Sequence, residues 1–286
     1  MLSKTSTITG VVLATLLFGA RAHAQSEPES EAKPPDAAAG ADGTDQLTLQ
    51  KGRLVVNGFV EISLSTDAVF KPFSISPDAW YGVTDDITAG LVHSATAVSG
   101  FIGGVGDALC LAGESGGCAE VYPGVGFEAR YKLKLGGFAA AAEGGLLIQH
   151  LGDPFAFALK AGGIARWHQG KIAVEVQPNL IIALSNRGST TTGGITISGN
   201  RDFLNLPITG MYALTPMIWA ALQVGVALPF EDTGDAYRLP LSIGGHYRVN
   251  DMLSVSLAFS LPALVGGGSG TGADSRSLTL GGSYAF

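Results

Sequence analysis

The chain has 286 residues, 14% of them charged and 41 of them glycine, whereas a typical soluble domain has about 25% charged residues and about 7% glycine. The formal net charge is −7 and no basic patch is present, which argues against nucleic-acid binding. No apolar run reaches the roughly 20 residues that a membrane-spanning helix needs.

Residues 1–24 have the features of a secretory signal peptide. Lys4 gives a basic start, an apolar run extends from Ile8 to Phe18, and Ala22-His23-Ala24 has the A-x-A form of a cleavage site. We therefore expect export through the inner membrane and cleavage near Ala24. Cleavage removes Lys4 and Arg21 and no acidic residue, so the formal charge changes from −7 to −9.

Residues 25–48 form an acidic segment rich in proline and alanine, with six acidic residues, one lysine and no aromatic residue. Such a segment buries too little apolar surface to offset the entropy lost on ordering. We predict a disordered linker over residues 25–48, followed by one folded domain over residues 49–286.

The two cysteines, Cys110 and Cys118, lie in a glycine-rich stretch. In an exported chain, two close cysteines favour a disulfide over two free thiols. Their spacing of seven residues and the absence of partner ligands nearby exclude a CxxC-type metal or redox site. No metal site and no cofactor is expected elsewhere.

Beyond Arg53, apolar and polar residues alternate with period two. In the first such run, Val56, Gly58, Val60, Ile62 and Leu64 share one face, and Asn57, Glu61, Ser63 and Ser65 share the other. The pattern recurs at 125–133, 172–184 and 253–261. Strands with one apolar and one polar face fit a sheet between lipid and water.

Five short turns, each preceded by an aromatic residue, separate these runs: they begin at Trp80-Tyr81, Tyr131, Trp167, Tyr212 and Tyr247. Longer connections alternate with them, at about 65–70, 98–120, 150–154, 185–201, 229–236 and 262–276. This alternation predicts an all-β fold: a transmembrane antiparallel up-and-down β-barrel of twelve strands, with short turns and both termini in the periplasm. A soluble β-sandwich, the alternative, would not require these features.

The chain ends with Thr279, Gly281, Tyr284 and Phe286 in a pattern of polar residue, glycine and two terminal aromatics. This ending resembles the C-terminal β-signal of bacterial outer-membrane β-barrel proteins, which are porin-like. The resemblance covers residues 53–286 at the level of architecture and identifies no subfamily. It implies a Gram-negative outer membrane as location, periplasmic chaperones and the barrel assembly machinery as partners, and outer-membrane lipid as surroundings.

The alternation also assigns a set of polar side chains to the barrel interior. Tight hairpins would place Glu128 opposite Glu143 and Glu143 opposite Lys160, so we predict a cluster of Glu128, Arg130, Glu143 and Lys160 on one wall. The predicted pore-lining residues are Glu61, Glu128, Arg130, Lys132, Glu143, Lys160, Arg166, Glu175, Arg238 and His246, and Asp78, Gln177, Asn179 and Gln223 share their face. These charges either select solutes or only fill a closed barrel.

Twelve strands leave room for a narrow pore or an occluded cavity. The sequence therefore predicts a monomeric passive or selective channel for small solutes and no enzyme. The alternative is a closed structural or surface-display barrel that binds a partner through the loops at 98–120 and 185–201. A hydrolase is a third hypothesis, based on His150 with Asp153; His93 and Ser94 are adjacent on one strand and therefore point to opposite faces.

Overall fold

The computed structural model describes residues 47–64, 73–94, 122, 124–153, 155–188, 190–192, 195–197, 200–231, 233–267 and 272–286. The predicted signal peptide, residues 25–46 of the predicted linker, and both cysteines lie outside this part of the chain. No helix within it is long and apolar enough to cross a membrane.

Antiparallel strands make up most of the described chain. The barrel strands are β1 (Leu54–Ser63), β2 (Phe73–Gly82), β3 (Ile87–Val92), β4 (Val125–Leu135), β5 (Phe138–His150), β6 (Ala156–Gln169), β7 (Ile172–Val176), β8 (Asn179–Ala183), β11 (Phe203–Ala213), β12 (Ile218–Pro229), β13 (Arg238–Arg248), β14 (Leu253–Gly266) and β15 (Ser277–Ala285). The short strands β9 (Thr190–Thr192) and β10 (Ile195–Ile197) form a separate hairpin, and one helical turn, α1 (Thr233–Ala236), follows β12.

The sheet closes on itself. Each barrel strand pairs antiparallel with its neighbours along the chain, β11 pairs with both β7 and β12, and β1 pairs with β15. Because β7 and β8 both lie between β6 and β11, they are two halves of a single barrel strand. The ring therefore contains twelve strands, which confirms the predicted all-β barrel and its strand number.

Two prolines explain why that strand is divided. Pro178 has no N–H to donate, although its carbonyl oxygen accepts a bond from Gly163 N at 3.0 Å. Pro207 in β11 accepts from Gln177 N at 3.1 Å but cannot donate in return. Asn179 Nδ2 donates to the carbonyl oxygen of Gln177 at 3.3 Å and so takes the place of the missing donor. The pairing register continues unchanged across the break.

Three of the five short turns share one hydrogen-bonding motif, centred on Thr84, Thr215 and Asn250. In each turn the side-chain oxygen accepts bonds from the N–H groups two and three residues later, at 2.8 to 3.2 Å. These local bonds hold the turn and leave few backbone donors unpaired. The ends of the barrel are hereafter called the short-turn end and the loop end.

The two faces of the barrel differ in polarity. Large apolar side chains on the outer face are solvent-accessible, for example Ile243 at 60%, Leu280 at 55% and Leu222 at 51%. Polar residues such as Ser76, Asn205 and Ser242 face inward and are fully or almost fully buried. A transmembrane β-barrel needs this arrangement, because its closed sheet must present an apolar outer surface to lipid.

Candidate functional site: the barrel lumen

The barrel encloses a cavity of about 500 Å³. Its lining includes inward residues of β1, β2, β4, β6, β11, β12, β13 and β14, so the cavity occupies the barrel axis rather than one wall. This volume lies within the range of about 300 to 1,000 Å³ that is common for small-molecule sites.

One wall of the cavity carries a network of charged side chains, which we call the charged wall. Lys160 Nζ lies 3.0 and 2.9 Å from the two carboxylate oxygens of Glu128 and 3.9 Å from Glu143 Oε2. The carboxylates of Glu128 and Glu143 are almost inaccessible to solvent. Because desolvated carboxylates are costly without partners, the shared lysine stabilises both of them.

Arg130 completes the charged wall. Its Nε lies 2.8 Å from Glu143 Oε1, and its guanidinium carbon lies 4.3 Å from the ring centroid of Trp80, close enough for a cation–π contact. Gln177 Nε2 donates to both Glu143 oxygens at 3.1 and 2.9 Å. Glu143 therefore interacts with two cations and one amide.

The structure brings together the four residues of the predicted cluster, but through a register that differs from the predicted one. Glu128 lies opposite Gly145 and Arg130 opposite Glu143, while Lys160 also lies opposite Gly145. The predicted pairings of Glu128 with Glu143 and of Glu143 with Lys160 are therefore wrong by two residues. Since Gly145 has no side chain, Lys160 reaches across it to Glu128.

A second ion pair extends the charged wall toward the short-turn end. Arg166 Nε donates to Glu175 Oε2 at 2.8 Å, and Arg166 Nη2 also binds that oxygen. Each of the three acidic side chains of the charged wall lies beside a basic one, so the wall has balanced formal charge.

The wall opposite the charged wall consists of small, uncharged residues. Ala221, Gly244 and Ala258 line the cavity in adjacent strands. In the next row, Gln223 Nε2 donates to Thr209 Oγ1 at 2.8 Å, and Ser242 Oγ bonds to Ser260 Oγ at the same distance. These polar side chains therefore satisfy one another within this wall.

Apolar clusters lie toward both ends of the lumen. Leu147, Ala158, Ile181 and Phe203 pack together toward the loop end, and Ala173, Met211, Ala213 and Trp219 toward the short-turn end. Leu47, from the predicted linker, packs against inward-facing Ala141 and Ile164. Leu47 and Thr48 are only 8% and 6% exposed.

The remaining predicted pore-lining residues have different surroundings. His246 lines the cavity beside the small-residue wall, and Glu61 faces inward between Ser74 and Thr279. Lys132 is exposed near the short-turn end, and Arg238 is exposed at the loop end. None of these four belongs to the charged wall. Trp80, which the sequence identified only as an aromatic residue before a short turn, faces the lumen and is 8% exposed.

Asp78 is held by donors from the end of β3. Its carboxylate accepts from His93 N at 2.7 Å, Ser94 N at 3.2 Å and Ser94 Oγ. The His93 ring binds the carbonyl oxygen of Pro77 and, through Nε2, Tyr122 OH at 2.8 Å. β3 ends at Val92, so His93 and Ser94 follow the strand instead of lying on it as predicted, and their side chains bind different partners. No group of three or more potential metal ligands lies together in the described part of the chain.

The C-terminal residues lie at the seam between β15 and its neighbours. Thr279 is buried and faces inward, and a Cβ at Gly281 would lie 3.0 Å from the Phe59 ring. Tyr284 and Phe286 are in edge-to-face contact, with ring centroids 4.7 Å apart. Their role in assembly stays a prediction.

A salt bridge organises the base of the loop at 184–202, outside the spanning strands. Arg187 Nη1 and Nη2 donate to the two carboxylate oxygens of Asp202 at 2.7 and 2.9 Å. Asp202 Oδ1 also accepts from Ala183 N at 2.7 Å. The hydrogen bond from Arg187 lowers the pKa of Asp202 below its ordinary value, and the bond from Ala183 acts in the same direction.

Comparison with solved structures gives the same architecture. The outer-membrane channel COG4313 from Pseudomonas putida F1 matches with a TM-score of 0.55 and 14% identity over 84% of this chain and 97% of that one. The NanC porin matches with a TM-score of 0.51 and 10% identity over 80% of this chain and 98% of that one. No family model and no curated protein matches the sequence. At these identities the likeness concerns the fold: the chain has a porin-like β-barrel fold, as the sequence predicted, and its own barrel has twelve strands.

Proposed function

We propose that the protein is a passive channel of the bacterial outer membrane for small polar solutes. The observation that carries this proposal is the axial cavity of about 500 Å³ between the charged wall and the small-residue wall. Polar groups along this path replace part of the hydration shell of a passing solute. The two similar structures are described as an outer-membrane channel and a porin, which supports the same function.

The balanced formal charge of the charged wall indicates weak selectivity between cations and anions. Glu128 and Glu143 are neutralised by Lys160 and Arg130, and Glu175 by Arg166. A channel that strongly selected one charge sign would instead present a ring of like charges. We therefore infer that solute size contributes more to selection than net charge.

Planar-bilayer recording on the refolded mature chain tests the proposal. Discrete single-channel steps and a reversal potential close to zero in a KCl gradient are expected. Liposome swelling with sugars of increasing size should then show a sharp size limit. A barrel that inserts and yet gives no steps would overturn the proposal and favour a closed structural or surface-display barrel.

The proposal assigns no enzymatic activity to the chain. His150 and Asp153 lie at the loop between β5 and β6 and are the residues on which the hydrolase hypothesis depends. Lipid and peptide hydrolysis by the wild type and His150→Ala should be equal and indistinguishable from buffer. Hydrolysis that disappears in His150→Ala would establish the enzyme instead.

A further inference from the structure

The chain enters the barrel lumen before its first strand begins. Residues 47–52 form a short segment, here called the strap, whose Leu47 and Leu49 line the cavity together with side chains of the barrel wall. Leu47 packs against Ala141 and Ile164, which face inward from β5 and β6. The strap therefore crosses the lumen from β1 to the wall formed by β5 and β6.

Specific bonds hold the strap in place. Leu49 N donates to Thr88 Oγ1 at 2.7 Å, and Thr88 is itself 2% exposed. Lys51 N donates to Asp85 Oδ1 at 3.0 Å, and Gly52 N donates to the carbonyl oxygen of Gly82 at 2.8 Å. Backbone anchors at three points along six residues define one path for the strap.

The barrel is shaped to receive this turn of the chain. A Cβ at Gly82 would overlap the carbonyl oxygen of Gln50, so only glycine leaves room for the strap as it turns inward. Gly52 has φ of 82°, which favours glycine at the bend itself.

A second apolar feature lies at the same end of the lumen as the strap. Met211 and Trp219 pack with Ala173 and Ala213 on inner walls away from the strap. Leu47, Leu49 and Trp80 approach from the strap side, and Met211 also lines the cavity. Apolar groups on two sides of a pore narrow it and make it costly for water and ions to fill.

We propose that the strap is the constriction that sets the conductance and size limit of the channel. This inference rests on the proposed channel function and adds the segment that determines its selectivity. The part of the charged wall formed by Glu128, Arg130, Glu143 and Lys160 then forms the polar path on the loop-end side of the constriction. The alternation Leu47-Thr48-Leu49-Gln50 places both leucines toward the lumen.

Single-channel recording on three proteins tests the strap. Deletion of residues 25–50 and the point variant Leu47→Asp should each raise the conductance, by about twofold or more for the deletion, because apolar constrictions limit ion flow. Deletion of residues 25–45, the matched control, keeps the strap and should conduct like the mature wild type. Heat-modifiable migration on gels confirms that each variant forms a barrel.

The outcomes separate this inference from the channel proposal. Equal conductance and equal swelling cut-offs in wild type, Leu47→Asp and the 25–50 deletion overturn the strap as constriction but leave the channel standing. Absence of current in every folded variant overturns both. An increase that the 25–45 deletion already produces assigns the effect to the preceding residues and also overturns the strap.

Discussion

Gly145 allows two charged residues on non-adjacent strands to meet. It lies between Glu128 on β4 and Lys160 on β6 in the same register row. A Cβ there would lie 2.8 Å from Glu128 Cγ and 2.7 Å from the carbonyl oxygen of Phe127. The charged wall thus requires glycine at position 145 as well as the charged residues themselves.

Gly145→Ala should destabilise the barrel, by about 1 to 3 kcal/mol, the usual range for overpacking a tight site. The new methyl group would push Glu128 away from Lys160. Unfolding by urea in detergent measures the effect. Gly144→Ala is the matched control, because its Cβ would face the outer surface and meet nothing closer than 3.7 Å; equal stability of the two variants would contradict the prediction.

Lys160→Met should make the channel cation-selective. The change leaves Glu128 without its cation and reduces the compensation of Glu143, so the charged wall gains net negative charge. The reversal potential in a salt gradient should move toward the potassium equilibrium potential. Lys171→Met removes an exposed lysine in a short turn and should leave it unchanged. An unaltered potential in Lys160→Met would exclude Lys160 from the conduction path.

Among the strands, the sequence predicts which residues face inward, but the pairing register between strands depends on hairpin geometry. Alternation identified the inward faces of β4, β5 and β6 correctly, because it depends only on period two. The register was wrong because it depends on the turn centre. Pairing Glu128 with Glu143 requires a turn centred on residues 135 and 136, whereas β4 and β5 turn at Gly136-Gly137, one residue later, and Gly137 has φ of 80°. A shift of one residue in the turn centre moves the opposing residue by two.

The prolines show a similar limit. A proline inside a strand is a signal for a break, yet β11 continues through Pro207, and the break occurs in the neighbouring strand at Pro178. Proline affects the strand that would have received its N–H as well as its own. The strand that loses a backbone hydrogen bond is the one paired with the proline, and the sequence alone does not give the pairing.

The base of the loop at 184–202 should loosen in acid. Asp202 has a pKa lowered by its bond from Arg187. A carboxylate with a lowered pKa in the folded state contributes stability above its unfolded pKa, and this stability is lost as the pH falls through the folded pKa. Limited proteolysis should therefore cut this loop faster near pH 3 than at pH 7.

Arg187→Gln provides the control for the acid effect. Without the guanidinium, the pKa of Asp202 should return toward its ordinary value, and the loop should become protease-sensitive at a higher pH than in the wild type. An identical pH profile for wild type and Arg187→Gln would show that the salt bridge does not hold the loop.

For the whole molecule, the strand number and closure were predictable because five aromatic-led turns and six longer connections alternate along the chain. The strap was not predictable. Leu47 and Leu49 are the first large apolar residues after a polar segment, which was a signal, but two residues are too few to indicate burial. Their position depends on the inner surface of a closed barrel.

The folded mature chain should require detergent or lipid to remain dispersed. Its outer face exposes residues such as Ile243, Leu280 and Tyr131, which is 55% accessible, and contiguous apolar surface of this kind drives association in water. Analytical ultracentrifugation with and without detergent measures this. A folded monomer in plain buffer would contradict the membrane location.

The pairing of β1 with β15 has a consequence for synthesis. Nine residue pairs, from Val55 with Ala285 to Ser63 with Ser277, join the two ends of the domain. Until β15 has been synthesised, the nascent sheet has no partner for its first strand, and both margins would offer unpaired backbone to other chains. Closure therefore has to wait for β15, and a truncation that removes this strand would yield an open, aggregation-prone sheet instead of a smaller barrel.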